Sequence, residues 1–244
     1  MIRVFCFFLF SFGFVYAQVP SSGVYSSSQA NLKVYKRIAN KTYFSHIATG
    51  SHYNNKSNGL VKLGATFHLD RENMLSLSAR NQQGIRHTDD WIKENSKWMW
   101  DNTSYRNEQA LNIEYIYTKR LGFAPFTAQL RLSYDENFYN SQKRLIGTIG
   151  LNYFYFGDKG PLWSIHYLAP FYYALNFEKN KFYKNGHYLS ILYHLSKKYQ
   201  FGLSYRQNYE RWTESESFKR SLPNRSYDVR DIINTLGVEF FVRF

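Results

Sequence analysis

Residues 235–244 read TLGVEFFVRF. Leu236, Val238, Phe240, Val242 and Phe244 are large and apolar, and Thr235, Gly237, Glu239, Phe241 and Arg243 stand between them. A two-residue period puts the first set on one face of a β-strand and the second on the other. The apolar face is continuous, while the opposite face carries charge.

The same alternation recurs back through the chain. It predicts strands near 41–52, 59–69, 73–83, 107–120, 126–137, 143–156, 162–177, 185–196, 199–212 and 232–244. Along 126–137, Phe126, Ala128, Leu130, Leu132 and Tyr134 oppose Thr127, Gln129, Arg131, Ser133 and Asp135. Tight breaks such as Asp70-Arg71-Glu72-Asn73 and Ser196-Lys197-Lys198-Tyr199 alternate with longer ones, including 84–106 and 213–230. Short turns at one end and long connections at the other are the arrangement of a transmembrane antiparallel up-and-down β-barrel. About ten strands are expected, with twelve open if residues 31–40 pair with a strand not assigned. An even number places both termini on one side. A soluble sandwich or barrel would share the alternation, but not the repeated large aromatics on the apolar faces.

The opening of the chain fits that class. Met1-Ile2-Arg3 precedes an apolar run, VFCFFLFSFGFVY at 4–16, which closes on Ala17. The run is shorter than the roughly 20 residues a spanning helix needs, so 1–17 is expected to be a cleaved secretory signal peptide. Residues 18–40, rich in Ser, are expected as a flexible periplasmic lead-in, with the barrel over 41–244. Cys6 is the only cysteine, so the exported chain would carry no disulfide. The mean hydropathy is −0.50, yet 20% of residues are aromatic, 22 of them Tyr and 21 Phe. Tyrosine suits a surface that is apolar on one side and wet on the other. The formal charge is +13, or +12 once Arg3 leaves with the signal. Export argues against nucleic acid as the partner of that charge, and favours anionic solutes or a membrane surface.

At this point Leu236, Val238, Phe240, Val242 and Phe244 resemble the C-terminal insertion signal of Gram-negative outer-membrane β-barrel proteins. The resemblance implies recognition by the barrel-assembly machinery and residence in the bacterial outer membrane, among its lipid and lipopolysaccharide. It implies nothing about activity.

Two enzymatic constellations known on such barrels have partial counterparts in the chain. His194-Leu195-Ser196 has the His-x-Ser spacing of membrane-embedded hydrolases, but its alternation turns His194 toward the lumen with Tyr188, Ser190 and Leu192. His87-Thr88-Asp89-Asp90 lacks the spaced acidic and His pairs of the ten-stranded surface proteases. No metal or cofactor spacing is evident, and His68, His166 and His194 are expected to point inward. No catalytic residue is assigned, so a membrane-embedded hydrolase ranks third among the functions. Trp91, Trp98 and Trp100 are expected as interface aromatics.

The lumen remains. Lys62, Arg80, Glu114, Arg120, Arg131, Arg144, Arg206, Glu239 and Arg243 are predicted to line it. Buried charges must be paired or hydrated. Either Glu114 and Glu239 hold Arg131 or Arg206 in a plugged interior, or the basic excess favours anions in a narrow wet channel. The leading expectation is a porin-like channel for small, anionic solutes. The alternative is a closed structural or surface-interaction, adhesin-like barrel acting through 84–106 and 213–230.

Overall fold

The computed structural model describes residues 22–53, 56–85, 91–94, 97–100, 105–122, 125–138, 141–158, 160–176, 181–212 and 229–244. The expected signal segment, 1–17, lies outside them. The described chain is all-β. Its strands are β1 (Ser22–Ala39), β2 (Thr42–Tyr53), β3 (Lys56–His68), β4 (Asn73–Ile85), β5 (Trp91–Glu94), β6 (Lys97–Trp100), β7 (Tyr105–Arg120), β8 (Phe126–Asn137), β9 (Gln142–Gly157), β10 (Gly160–Ala174), β11 (Phe182–His194), β12 (Tyr199–Trp212) and β13 (Val229–Arg243). All except β5 and β6 form one closed barrel, in the order β1-β13-β12-β11-β10-β9-β8-β7-β4-β3-β2. β5 and β6 make a separate hairpin within the longest described connection, with Trp91 opposite Trp100 and Lys93 opposite Trp98.

The ten strands read from the alternation are β2 to β4 and β7 to β13. β1 is the eleventh. Residues 22–39, expected as a flexible lead-in, are a strand of the barrel wall. β1 is antiparallel to β2 and parallel to β13, with Ser22 opposite Arg230 and Tyr35 opposite Arg243. The odd count therefore overturns the expectation of both ends on one side. β1 begins at the end of the long connections, and β13 finishes at the end of the short turns. Backbone bonds close the seam there: Phe244 N–H donates to Tyr35 O (2.9 Å) and Arg37 N–H donates to Phe244 O (3.1 Å).

The short turns are tightly specified. Lys41, between β1 and β2, takes a positive φ of 64°. Gly160 takes φ 125°, a conformation open to glycine, where β9 turns into β10. Asp70 accepts from the Asn73 side-chain amide and from the backbone N–H groups of Glu72 and Asn73 at 2.7–2.9 Å. These donors hold its carboxyl below the usual range.

The two faces of the wall differ in kind. Outward lie Leu63, Leu77, Ile113, Leu130, Leu132, Ile149, Ile191, Leu203, Leu236 and Phe240, all exposed. Aromatics crowd this face toward both rims. Phe126 packs on Tyr153 (4.9 Å between centroids) and Trp163 on Tyr193 (4.7 Å) near the short turns. Tyr173 packs on Phe182 (5.0 Å) near the long connections. Inward, buried positions are mostly polar, among them Asn31, Ser76, Asn112, Asp135, Ser164, Ser204, Glu210 and Glu239. This is the reverse of a soluble barrel, where the apolar face turns in.

Candidate functional site: a charged lumen

The strand register places Lys62, Arg80, Glu114, Arg131, Arg206, Glu239 and Arg243 on the inward face. Arg144 joins them opposite Asp135 on β9, and Arg120 reaches the short-turn rim of that face. Leu236, Val238, Phe240, Val242 and Phe244 alternate with them on the outward side of β13. Trp91, Trp98 and Trp100 fall on the β5–β6 hairpin, but their side chains lie outside those described, as does the whole of His87-Thr88-Asp89-Asp90.

Glu239 is the most enclosed charge, with no exposed surface. Its Oε1 accepts from Asn31 Nδ2 (2.7 Å), Tyr188 Oη (2.9 Å) and Ser204 Oγ (2.9 Å). Lys33 Nζ lies 2.9 Å from its Oε2. Donors thus converge from β1, β11 and β12. Gly202 is the register partner of Glu239 across the β12–β13 ladder. A Cβ at Gly202 would sit 1.9 Å from the Ile191 carbonyl oxygen.

Toward the long connections, Asp135 lies 2.8 Å from Arg144 and 3.5 Å from Arg80. Arg144 also donates to Tyr183 Oη (3.3 Å). Lys184 pairs with Glu210. Both acids are buried, so these are strong local restraints.

Pairing is much weaker elsewhere. Arg131 donates to Gln129 Oε1 (2.9 Å), but its guanidinium stands 3.9 Å from Glu114, and its side chain keeps 30% of its exposure. Among the described residues, Lys62 reaches only Asn112 Oδ1, at 3.4 Å. The Arg206 guanidinium stacks over the Tyr188 ring at 5.3 Å. Among the described residues, neither Lys62, Arg206 nor Arg243 has an acidic partner within 4.0 Å. Among the described residues, the inward cations are Lys33, Lys62, Arg80, Arg131, Arg144, Lys184, Arg206 and Arg243, with Arg120 at the rim, and the inward acids are Glu114, Asp135, Glu210 and Glu239.

The sequence offered Glu114 and Glu239 as holders of Arg131 or Arg206. Glu114 does face Arg131. Glu239 takes Lys33 instead, because β1 enters the wall beside β13 and delivers an ammonium that the unassigned strand had hidden.

A second polar cluster lies on the inner wall toward the short turns. Ser164 Oγ is 2.8 Å from His194 Nε2 and 2.9 Å from His166 Nε2. His166 Nδ1 is 2.8 Å from Asn152 Oδ1, and Asn152 Nδ2 donates to Thr127 Oγ1 (3.1 Å). The donors can be ordered. Asn152 turns its oxygen to His166, so His166 Nδ1 must carry the proton. In the neutral ring, Nε2 is then an acceptor, and it takes the Ser164 hydroxyl proton. Ser164 Oγ in turn accepts from His194 Nε2–H. His194 therefore faces inward as expected but does not join Ser196, whose Oγ accepts the turn N–H groups of Lys198 and Tyr199 (3.1 Å each). His68 packs edge-on against Tyr43 at 5.1 Å.

The chain matches no protein-family model, and no curated protein matches it.

Proposed function

We propose that the protein is a bacterial outer-membrane barrel, serving as a narrow conduit for small anionic solutes. Its outward band of Leu, Ile, Val and Phe suits hydrocarbon, and the Tyr, Trp and Phe clusters toward both rims suit the two headgroup layers. The observation that carries the conduit is the inward charge balance. Lys62, Arg206 and Arg243 stand without acidic partners among the described residues, beside a partly exposed Arg131. Fixed positive charge in a narrow, low-dielectric passage concentrates anions and excludes cations. A barrel of this size falls between those filled by side chains and those with a wide aqueous lumen, so a narrow passage is in keeping.

Purified protein in a planar bilayer is expected to give a small conductance, with a reversal potential displaced toward the anion in a salt gradient. Arg206→Gln should reduce that displacement while the barrel still shows its heat-dependent shift in electrophoretic mobility. No current above leak at either polarity would end the conduit reading. It would favour a barrel closed around Glu239 that acts through residues 84–106 and 213–230.

A further inference from the structure

We propose that Ser164, His166 and Asn152 form a hydrolytic site for carboxylic esters on the inner wall of the barrel. Ser164 is the nucleophile and His166 its general base. Asn152 is a positioning residue that fixes the base. The geometry has the three links such a site requires: a hydroxyl within reach of a ring nitrogen, that nitrogen in its acceptor form, and a third group holding the far side of the ring. The distances are 2.9 Å from Ser164 Oγ to His166 Nε2 and 2.8 Å from His166 Nδ1 to Asn152 Oδ1. The Asn152 amide N–H donates to Thr127 Oγ1 while its oxygen faces the ring. A neutral amide serves here as the orienting group, so the inner wall gains no further buried anion.

His194 gives the cluster a second function. Its Nε2 lies 2.8 Å from Ser164 Oγ, and with His166 Nε2 as the acceptor of the Ser164 proton it is the tautomer protonated at Nε2 that completes the contact. A donor at that place can turn to the carbonyl oxygen of an acyl group whose carbon Oγ is attacking. Ser164 has no exposed surface in the resting state, and His194 lies against its hydroxyl. His194 is the last residue of β11, next to the Leu195–Lys198 turn, so the movement that admits a substrate is a side-chain rotation at a strand end. Phe154 and Leu192 flank Ser164 across the two neighbouring ladders, and Phe154 meets His166 edge-on at 5.8 Å. That wall suits a short apolar acyl chain, with the alcohol portion toward the short-turn mouth.

The reaction closes on itself. Ser164 Oγ bonds to the ester carbonyl carbon as its proton passes to His166 Nε2. The tetrahedral intermediate collapses, the bond to the alkoxy oxygen breaks, and that oxygen leaves as the alcohol with the proton from His166. Water then adds to the acyl carbon, giving a proton to His166. The carboxylic acid departs as the proton returns to Ser164 Oγ.

The test uses the full-length protein folded in detergent, with barrel integrity followed by heat-dependent mobility. An alkyl fluorophosphonate is expected to add covalently at Ser164, located by peptide mass. p-Nitrophenyl butyrate should be hydrolysed, with the rate falling about 10²–10⁴-fold in Ser164→Ala or His166→Ala. Asn152→Ala should slow phosphonylation and move its pH profile, and Asn152→Asp should restore both; a merely structural Asn152 would leave the profile in place. An intact barrel with no adduct at Ser164 would overturn the proposal, without need of any variant. So would an adduct at another serine, or equal hydrolysis by folded Ser164→Ala.

Discussion

β1 and β13 lie side by side, run in the same direction and share one register, yet they present unlike surfaces. On β13 the outward residues are Leu236, Val238, Phe240 and Val242. Their partners on β1 are Ser28, Ala30, Leu32 and Val34. One strand offers bulky apolar groups along the whole band. The other offers small ones over half of it, and beside them Ala48, Gly50 and Gly59 complete a shallow groove on the barrel's outside. Inward the two strands converge: Asn31 and Lys33 of β1 both bind Glu239 of β13. β13 is therefore held from both faces, whereas β1 is held chiefly by its backbone ladders and by the charge it brings to Glu239. An outward apolar face and an inward ionic contact are separate ways to keep a strand in a wall.

The largest effect should come from cutting the contact the two strands share. Glu239→Ala leaves Lys33 without its carboxylate and strips Asn31, Tyr188 and Ser204 of their acceptor. A loss of about 3–5 kcal/mol is expected from breaking such a pair, seen as a lower urea midpoint for loss of the folded band in lipid vesicles. A loss under about 1 kcal/mol would mean that β1 does not depend on this pair.

Next come matched charges on the two outward faces. Leu236→Arg should cost about 2–4 kcal/mol in a bilayer. Ser28→Arg, its register partner, should cost less, by about the transfer energy of the apolar side chain it does not remove. Equal losses would erase the contrast between the strands. The smallest effect is a gain. Ala30→Leu, placed over the groove, should stabilise the folded state by about 1–2 kcal/mol in the same unfolding assay, at roughly 0.8 kcal/mol per added carbon less the cost of ordering it.

The same contrast explains what could be read from the sequence. Ten strands announced themselves through bulky outward residues at alternate positions, and that alternation also turned Arg131, Arg206 and Arg243 inward. The first half of β1 gave no such signal, because Ser26, Ser28 and Ala30 occupy its outward positions and read as a loop; the second half, within 31–40, was open as a strand but had no partner assigned. With β1 unassigned, Lys33 was absent from the predicted lumen, and only the arginines stood as candidate partners of Glu239 in a plugged interior. Lys184 escaped because β11 starts at Phe182, three residues before the strand expected from 185. The Ser164 cluster was out of reach for a different reason. Its members stand on β9, β10 and β11, with His194 separated from Ser164 by 30 positions and Asn152 from His166 by 14. The spacing His194-Leu195-Ser196 forms no pair, since the local geometry gives Ser196 to its own turn.

The parallel seam on which the lumen's charge depends can be tested by cross-linking. Leu32 and Phe240 are direct partners and face the same way, as a disulfide requires. In a background with Cys6→Ser, Leu32→Cys with Phe240→Cys is expected to cross-link on mild oxidation in membranes, with a change in mobility that reductant reverses. Ala48, the partner of Leu32 on β2, should not cross-link to position 240 when each is made cysteine. Cross-linking of 48 to 240, with none from 32 to 240, would mean a ten-stranded barrel closed by β2 against β13, and would remove Lys33 from the lumen.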